Sequence, residues 1–155
     1  MADMPVKVFL DTNVIISGLL THEGIPKTIL DLLSLSLPEI KAVTGQFNLL
    51  ELRRNIKKKL PALTDVFEDA LEKLDFEIAP FPEDVIVEKY RGIISFKDAP
   101  VLASAIEAKC AYLITGDKDF RTEKIKKTKL PIAIVTPQEF FDLFPEIIRP
   151  PFEKV

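Results

Sequence analysis

One cysteine and one histidine in 155 residues exclude much chemistry at the outset. Cys110 has no partner for an intrachain disulfide, and no Cys/His spacing suits zinc. A reducing, cytoplasmic setting is therefore expected. His22 lies in a Thr-His-Glu-Gly loop and no Gly-x-Ser-x-Gly elbow is present, so a nucleophilic triad is unsupported. With five glycines there is also no phosphate-binding glycine loop. No apolar run approaches the roughly 20 residues that cross a bilayer. The first residues, Met1 to Pro5, lack the basic and apolar pattern of a signal peptide, so no membrane partner is expected. Excess positive charge is missing too: the net charge is −3, so blanket electrostatic attraction to nucleic acid is excluded. Contact with phosphates must run through local patches. Two are present: Arg53, Arg54, Lys57, Lys58 and Lys59, then Lys118, Arg121, Lys124, Lys126, Lys127 and Lys129. Either could equally be the solvated face of a helix.

What the chain does contain is an ordinary globular composition, 47% hydrophobic and 29% charged, at a length that favours one domain with its own core. That domain is expected over residues 1–148, with a tail over 149–155 that carries Pro150 and Pro151. Five short apolar, β-rich runs stand out: Val6–Leu10, Ile40–Val43, Phe76–Ala79, Ala111–Thr115 and Ile132–Val135. Such runs suit strands buried on both faces. Helical segments separate them: Thr12–Leu20, Pro26–Leu33, Gln46–Lys59, Leu63–Leu74, Glu83–Tyr90, Asp98–Lys109, a short one near Lys118–Lys126, and Gln138–Phe144. Prolines fall near the boundaries, where they are tolerated. Strand-helix-strand alternation implies an α/β fold with a parallel sheet and helices on both faces.

In an open parallel sheet, ligands bind beyond the C-terminal strand ends. Asp11 directly follows the first strand, and Asp117 follows the fourth after Gly116. Both carboxylates therefore belong to one sheet edge. Asp98 opens the helix that feeds the fourth strand; a helix leading into a parallel strand runs antiparallel to it, so its first turn lies at the same edge. The competing reading of Asp98 is a helix N-cap, with Pro100 in the first turn. Asp11 could likewise cap a helix, and Asp117 and Asp119 could be turn residues. Glu51 sits on the shoulder of a helix whose apolar stripe is Leu49, Leu52, Ile56 and Leu60. Alone it reads as an exposed glutamate. Several carboxylates packed together repel unless a cation binds, and Mg²⁺ or Mn²⁺ takes such oxygen ligands.

The run Val8-Phe-Leu-Asp-Thr-Asn-Val-Ile-Ile-Ser17, the block Asn48-Leu-Leu-Glu-Leu52, and Lys97-Asp-Ala-Pro-Val-Leu-Ala-Ser-Ala105 leading into Tyr112-Leu-Ile-Thr-Gly-Asp-Lys-Asp-Phe120 resemble the PIN-domain nucleases. The closing Ile134-Val-Thr-Pro-Gln-Glu-Phe140 also fits, and the toxin-like branch that includes the VapC toxins is the nearest in character. The resemblance implies a five-stranded parallel sheet ordered 3-2-1-4-5, which sets Asp11 beside Asp117. It implies an endoribonuclease using Mg²⁺ or Mn²⁺, with Asp11, Glu51, Asp98 and Asp117 as the acidic residues. Asp11, Asp98 and Asp117 would hold metal, with Asp119 a frequent extra ligand. Asn13 and Thr115 correspond to supporting polar positions. It also implies RNA as substrate, a homodimer, and a small antitoxin as partner; the basic residues Arg53, Arg54, Lys57, Lys58, Lys118 and Arg121 are then expected to hold RNA phosphates.

Two other readings compete. A phosphatase of the haloacid-dehalogenase kind also places Asp after its first strand, but needs a second acid where this chain has Asn13. A non-enzymatic RNA-binding module of the same ancestry would not need the complete acidic set. Phe140, Phe141 and Phe144 are expected to bury the last helix, or to form a dimer contact, rather than stack bases.

Overall fold

The computed structural model describes residues 4–148; the expected tail, 149–155, lies outside the described residues. Five strands form one parallel sheet in the order 3-2-1-4-5. They are β1 (Val6–Leu10), β2 (Ile40–Gly45), β3 (Glu77–Ala79), β4 (Tyr112–Ile114) and β5 (Ala133–Val135). Strand β1 is central: Phe9 pairs with Val43 on one side and with Leu113 on the other. Its residues Val8, Phe9 and Leu10 are fully buried, which explains why the run lacks polar alternation.

Side-chain alternation along β1 divides the interior. Val8 and Leu10 point into a core closed by α1 (Thr12–Leu20), α2 (Ile25–Leu33), α3 (Gln46–Lys59), α4 (Thr64–Leu74) and α8 (Pro137–Ile147). Phe9 points to the opposite face, covered by α5 (Asp84–Tyr90), α6 (Ala99–Glu107) and α7 (Glu123–Lys127). The result is a three-layer α/β/α sandwich, and Phe140 and Phe144 are buried in the first core as α8 packs down. Phe141, by contrast, is partly exposed.

Several elements differ from their expected limits by a residue or two, and three departures have an evident cause. The helix expected near Lys118–Lys126 is two pieces, a 3-10 turn over Lys118–Arg121 and then α7, because Thr122 breaks out to cap α7 with its side chain. Helix α8 continues beyond Phe144 through Pro145, whose ring removes one backbone donor, because Ile147 and Ile148 gain cover against the core. Helix α6 stops at Glu107, and Lys109 adopts a left-handed φ of 61° that turns the chain into β4.

Candidate functional site

The C-terminal ends of β1 and β4 meet in register, Leu10 beside Ile114, so the residues that follow emerge side by side. Asp11 is buried and extended, at the N-cap of α1. Its Oδ1 accepts from the Thr12 amide at 2.8 Å and from Asn48 Nδ2 at 3.4 Å; its Oδ2 accepts from Thr115 Oγ1 at 2.8 Å. Capping and site placement thus coexist, one carboxylate oxygen serving each. Burial pushes the Asp11 carboxyl up to about 6, against the lowering effect of the Thr115 and Thr12 hydrogen bonds, with the charges of Asp98 and Glu51 adding to the rise.

Asp98 does not cap α6 with its side chain, contrary to the cap reading. The turn before the helix bends back so that Ser95 Oγ donates to Asp98 Oδ2 at 2.6 Å, leaving the carboxylate aimed at the sheet edge. Its pKa is raised by burial first, then by the charges of Asp117 and Asp119, while Ser95 and Lys97 oppose the rise. Asp117 follows β4, and its Oδ1 accepts from the Asp119 amide at 2.9 Å. That bond folds the Thr-Gly-Asp-Lys-Asp stretch back on itself. One oxygen from each of Asp98, Asp117 and Asp119 lies within 4.8 Å of the others.

These three residues form the tight acidic trio, and Asp11 and Glu51 lie outside it. Glu51 is exposed on α3, close enough for its charge to raise the Asp11 pKa. Thr115 is fully buried and sits between the carboxylates, donating to Asp11 and accepting from the Asp117 amide at 3.1 Å. Asn13 does not join these bonds. Two residues beyond Asp11 on α1, it faces outward into an open 480 Å³ cleft shared with Ser17, Pro26 and Asp117. The amide that reaches Asp11 is that of Asn48, which is 1% exposed and also donates to Thr12 Oγ1 at 3.1 Å. Residue type and pattern alone do not single out Asn48 and Ser95 as site residues. Their signal is positional: each lies three residues before an acid of the expected set, Glu51 and Asp98.

The arrangement fits a divalent ion. Oxygens on opposite sides of a six-coordinate Mg²⁺ stand about 4.2 Å apart, twice a metal–oxygen distance of about 2.1 Å. The oxygens of Asp98, Asp117 and Asp119, all within 4.8 Å of one another, are close to that span, so a small shift of these side chains would let them share one ion. None of the ion pairs among the described residues involves Asp11, Asp98, Asp117 or Asp119. Hard oxygen donors with their charge left uncompensated are what Mg²⁺ or Mn²⁺ requires.

The basic residues divide by what already engages them. Arg53 is held by Glu68 through two hydrogen bonds, at 2.8 and 3.2 Å, while Arg54, Lys57, Lys58 and Lys59 extend into solvent from α3. Arg121 donates to the Gly116 carbonyl at 3.3 Å, which braces the loop carrying Asp117. Lys118 is exposed beside it. Cys110 is buried, and burial pushes its thiol up to about 12, as suits a packing residue and not a nucleophile. No helix among the described residues is long and apolar enough to cross a membrane.

Comparison with known proteins agrees with this geometry. A family model described as the PIN domain matches residues 8–124, well over half of the chain and every acidic residue named above. No curated protein matches. Among solved structures, VapBC2 from Rickettsia felis, bound to a DNA fragment from its promoter, aligns with a TM-score of 0.62 at 17% identity, covering 84% of this chain and 98% of that one. PAE2754 from Pyrobaculum aerophilum aligns with a TM-score of 0.62 at 13% identity, covering 91% and 90%. At these identities the two structures speak to the fold alone.

Proposed function

Because this chain belongs to the PIN-domain family, whose members are in general nucleases, we propose that it is a metal-dependent endoribonuclease working at the shared edge of β1 and β4. The observation that carries the reading is the convergence of the Asp98, Asp117 and Asp119 oxygens within 4.8 Å, beside a buried Asp11, without an ion pair to neutralise them.

Asp98, Asp117 and Asp119 would hold Mg²⁺ or Mn²⁺, and Asp11 would bear on it directly or through water. An ion there supplies a water of lowered pKa and stabilises the leaving oxygen of a phosphodiester. The chain's own residues do the positioning. Thr115 keeps Asp11 and the Asp117 loop in fixed relation, and Ser95 fixes the Asp98 carboxylate. Glu51, exposed yet electrostatically coupled to Asp11, completes the site by orienting the attacking water. Arg54, Lys57, Lys58 and Lys118 hold RNA phosphates, with Arg53 and Arg121 adding charge from their braced positions.

The sequence resemblance to the toxin-like branch extends the reading to a cytoplasmic toxin with a small antitoxin and a homodimeric state, and the fold shared with the Rickettsia felis VapBC2 structure is in keeping with it. The phosphatase reading is disfavoured by Asn13, which stands where that chemistry needs a second acid.

The decisive experiment is cleavage of labelled single-stranded and hairpin RNA in Mn²⁺, Mg²⁺ or EDTA, comparing wild type with Asp11→Asn and Asp98→Asn. Metal-dependent cutting lost in both variants establishes the site. Cutting that survives both substitutions removes it, and binding without cutting in any metal favours the non-enzymatic module.

A further inference from the structure

The segment between α5 and α6 carries a side chain that the carboxylate chemistry does not use. Phe96 is 73% exposed, although Asp98, two residues on, is buried. The Arg91 guanidinium lies over the Phe96 ring, 4.4 Å from its centroid, and Arg91 is itself tied to Glu88 on α5. The ring is thus backed by a cation and offered to solvent, which costs free energy unless something covers it.

An open cleft of 440 Å³ runs from this segment to the acidic group. Gly92, Ile93, Ile94 and Ser95 line it from one segment, and Asp119, Thr122 and Lys124 from another. Asp119 belongs to the carboxylate trio, and Ser95 bonds to Asp98, so the cleft opens directly onto the site. Phe96 follows Ser95 in the chain and stands just outside the residues that line the cleft. A second cleft, of 480 Å³, is lined by Asn13 and Asp117, so a different member of the trio borders each cleft. An aromatic face backed by a guanidinium, an ammonium group and a passage across the carboxylates together match an unpaired nucleotide: a π surface for the base and a cation for the phosphate. A base inside a duplex could not present its face to Phe96.

We propose that the cleft between the Gly92–Ser95 wall and Lys124 is the subsite for the nucleotide flanking the scissile phosphodiester, its base stacked on Phe96 and its phosphate met by Lys124. The proposal rests on the nuclease reading and deepens it, because it makes the substrate single-stranded RNA entering from one cleft and leaving by the other.

Its test is fluorescence anisotropy of a labelled 12-nucleotide single-stranded RNA in Ca²⁺ over a salt series, with cleavage of the same RNA in Mn²⁺. Phe96→Ala is expected to weaken binding about fivefold or more with an unchanged salt slope, and Phe96→Tyr to stay within about twofold of wild type, since stacking is independent of salt. Lys124→Ala is expected to reduce the magnitude of the slope by about 0.7, the release of one counterion from a single strand. Both positions are exposed, so thermal melts of the variants should match wild type. If wild type cuts and both variants bind and cut as it does, the subsite is wrong while the nuclease reading stands, and the ring is left for a protein partner. If wild type neither binds nor cuts any RNA, both fall together.

Discussion

Thr115 and Asp11, 104 residues apart in sequence, share a 2.8 Å hydrogen bond that joins the ends of β4 and β1. The same hydroxyl accepts from the Asp117 amide, so one side chain sets the spacing of two acids. Thr115→Ser should preserve both bonds. Thr115→Val keeps the shape and leaves a buried carboxylate oxygen without its donor, at a cost of about 1–3 kcal/mol at pH 7. Cleavage should fall at least about tenfold. Urea unfolding together with kcat/KM checks this; a valine variant as stable and active as wild type would remove Thr115 from the site.

The raised Asp11 pKa gives the metal-free protein an inverted pH dependence. Its folded-state value of about 6 lies above the ordinary 3.8, so between those values the folded state binds a proton that the unfolded chain has released. The stabilising contribution is fully present below the unfolded value and is lost as pH rises through about 6, amounting to on the order of 2–3 kcal/mol. In EDTA the protein should therefore melt higher at pH 5 than at pH 7.5, and Asp11→Asn should flatten the difference. An unchanged slope in that variant would assign the effect elsewhere.

Asp98 is held near Asp117 and Asp119 at an electrostatic cost, since their charges raise its pKa. Asp98→Asn should raise the melting temperature in EDTA by about 2–4 °C, the size expected for roughly 1 kcal/mol in a domain of this length. The same substitution should abolish the rise in melting temperature that Mn²⁺ gives wild type. A variant that is destabilised without metal, yet still responds to it, would contradict both halves.

Gly45 sits under the site because nothing larger fits. A Cβ there would lie 2.8 Å from Asn48 Oδ1 and 3.2 Å from Phe9 Cζ. Gly45→Ala should push Asn48 away from Asp11 and destabilise by about 1–3 kcal/mol, lowering activity with it. Gly92→Ala is the matched control for stability, because a Cβ at Gly92 meets nothing within 4 Å. A Gly45→Ala variant that melts as the control does and cuts as wild type does would show that the Asn48 hydrogen bond is dispensable.

On α3 the exposed lysines and Arg53 should behave differently. Lys57→Ala with Lys58→Ala should reduce the salt slope of RNA binding by about 0.7 for each phosphate left without its cation. Arg53→Ala should change it less, because that guanidinium is already paired with Glu68. RNA affinity and slope left intact by the lysine double variant would mean that this patch is only a solvated face.

The sheet edge is legible in the sequence because parallel strands share a direction: once Val6–Leu10 and Ala111–Thr115 read as strands, Asp11 and Asp117 have to emerge together. The family resemblance adds the order 3-2-1-4-5, which is observed. Less legible is what each oxygen does. Whether Asp98 caps α6 or faces the edge depends on how the turn from Ser95 folds and not on residue type. That Asn48 bonds Asp11 follows from α3 packing beside α1, a tertiary arrangement without a local signature. The passage of α8 through Pro145 is hidden for a similar reason, because burial of Ile147 and Ile148 outweighs one missing donor.

The central place of β1 has a consequence for synthesis of the protein. The strand made first waits for β4, which is translated about a hundred residues later, before its aspartate meets Thr115. A nascent chain that has not yet delivered Asp117 and Asp119 lacks two members of the trio however well its first half has folded. On the proposed reading, a message interrupted before that point yields a product without the residues that would hold the metal, so a ribosome making this protein would not meet a working catalyst on its own unfinished chain.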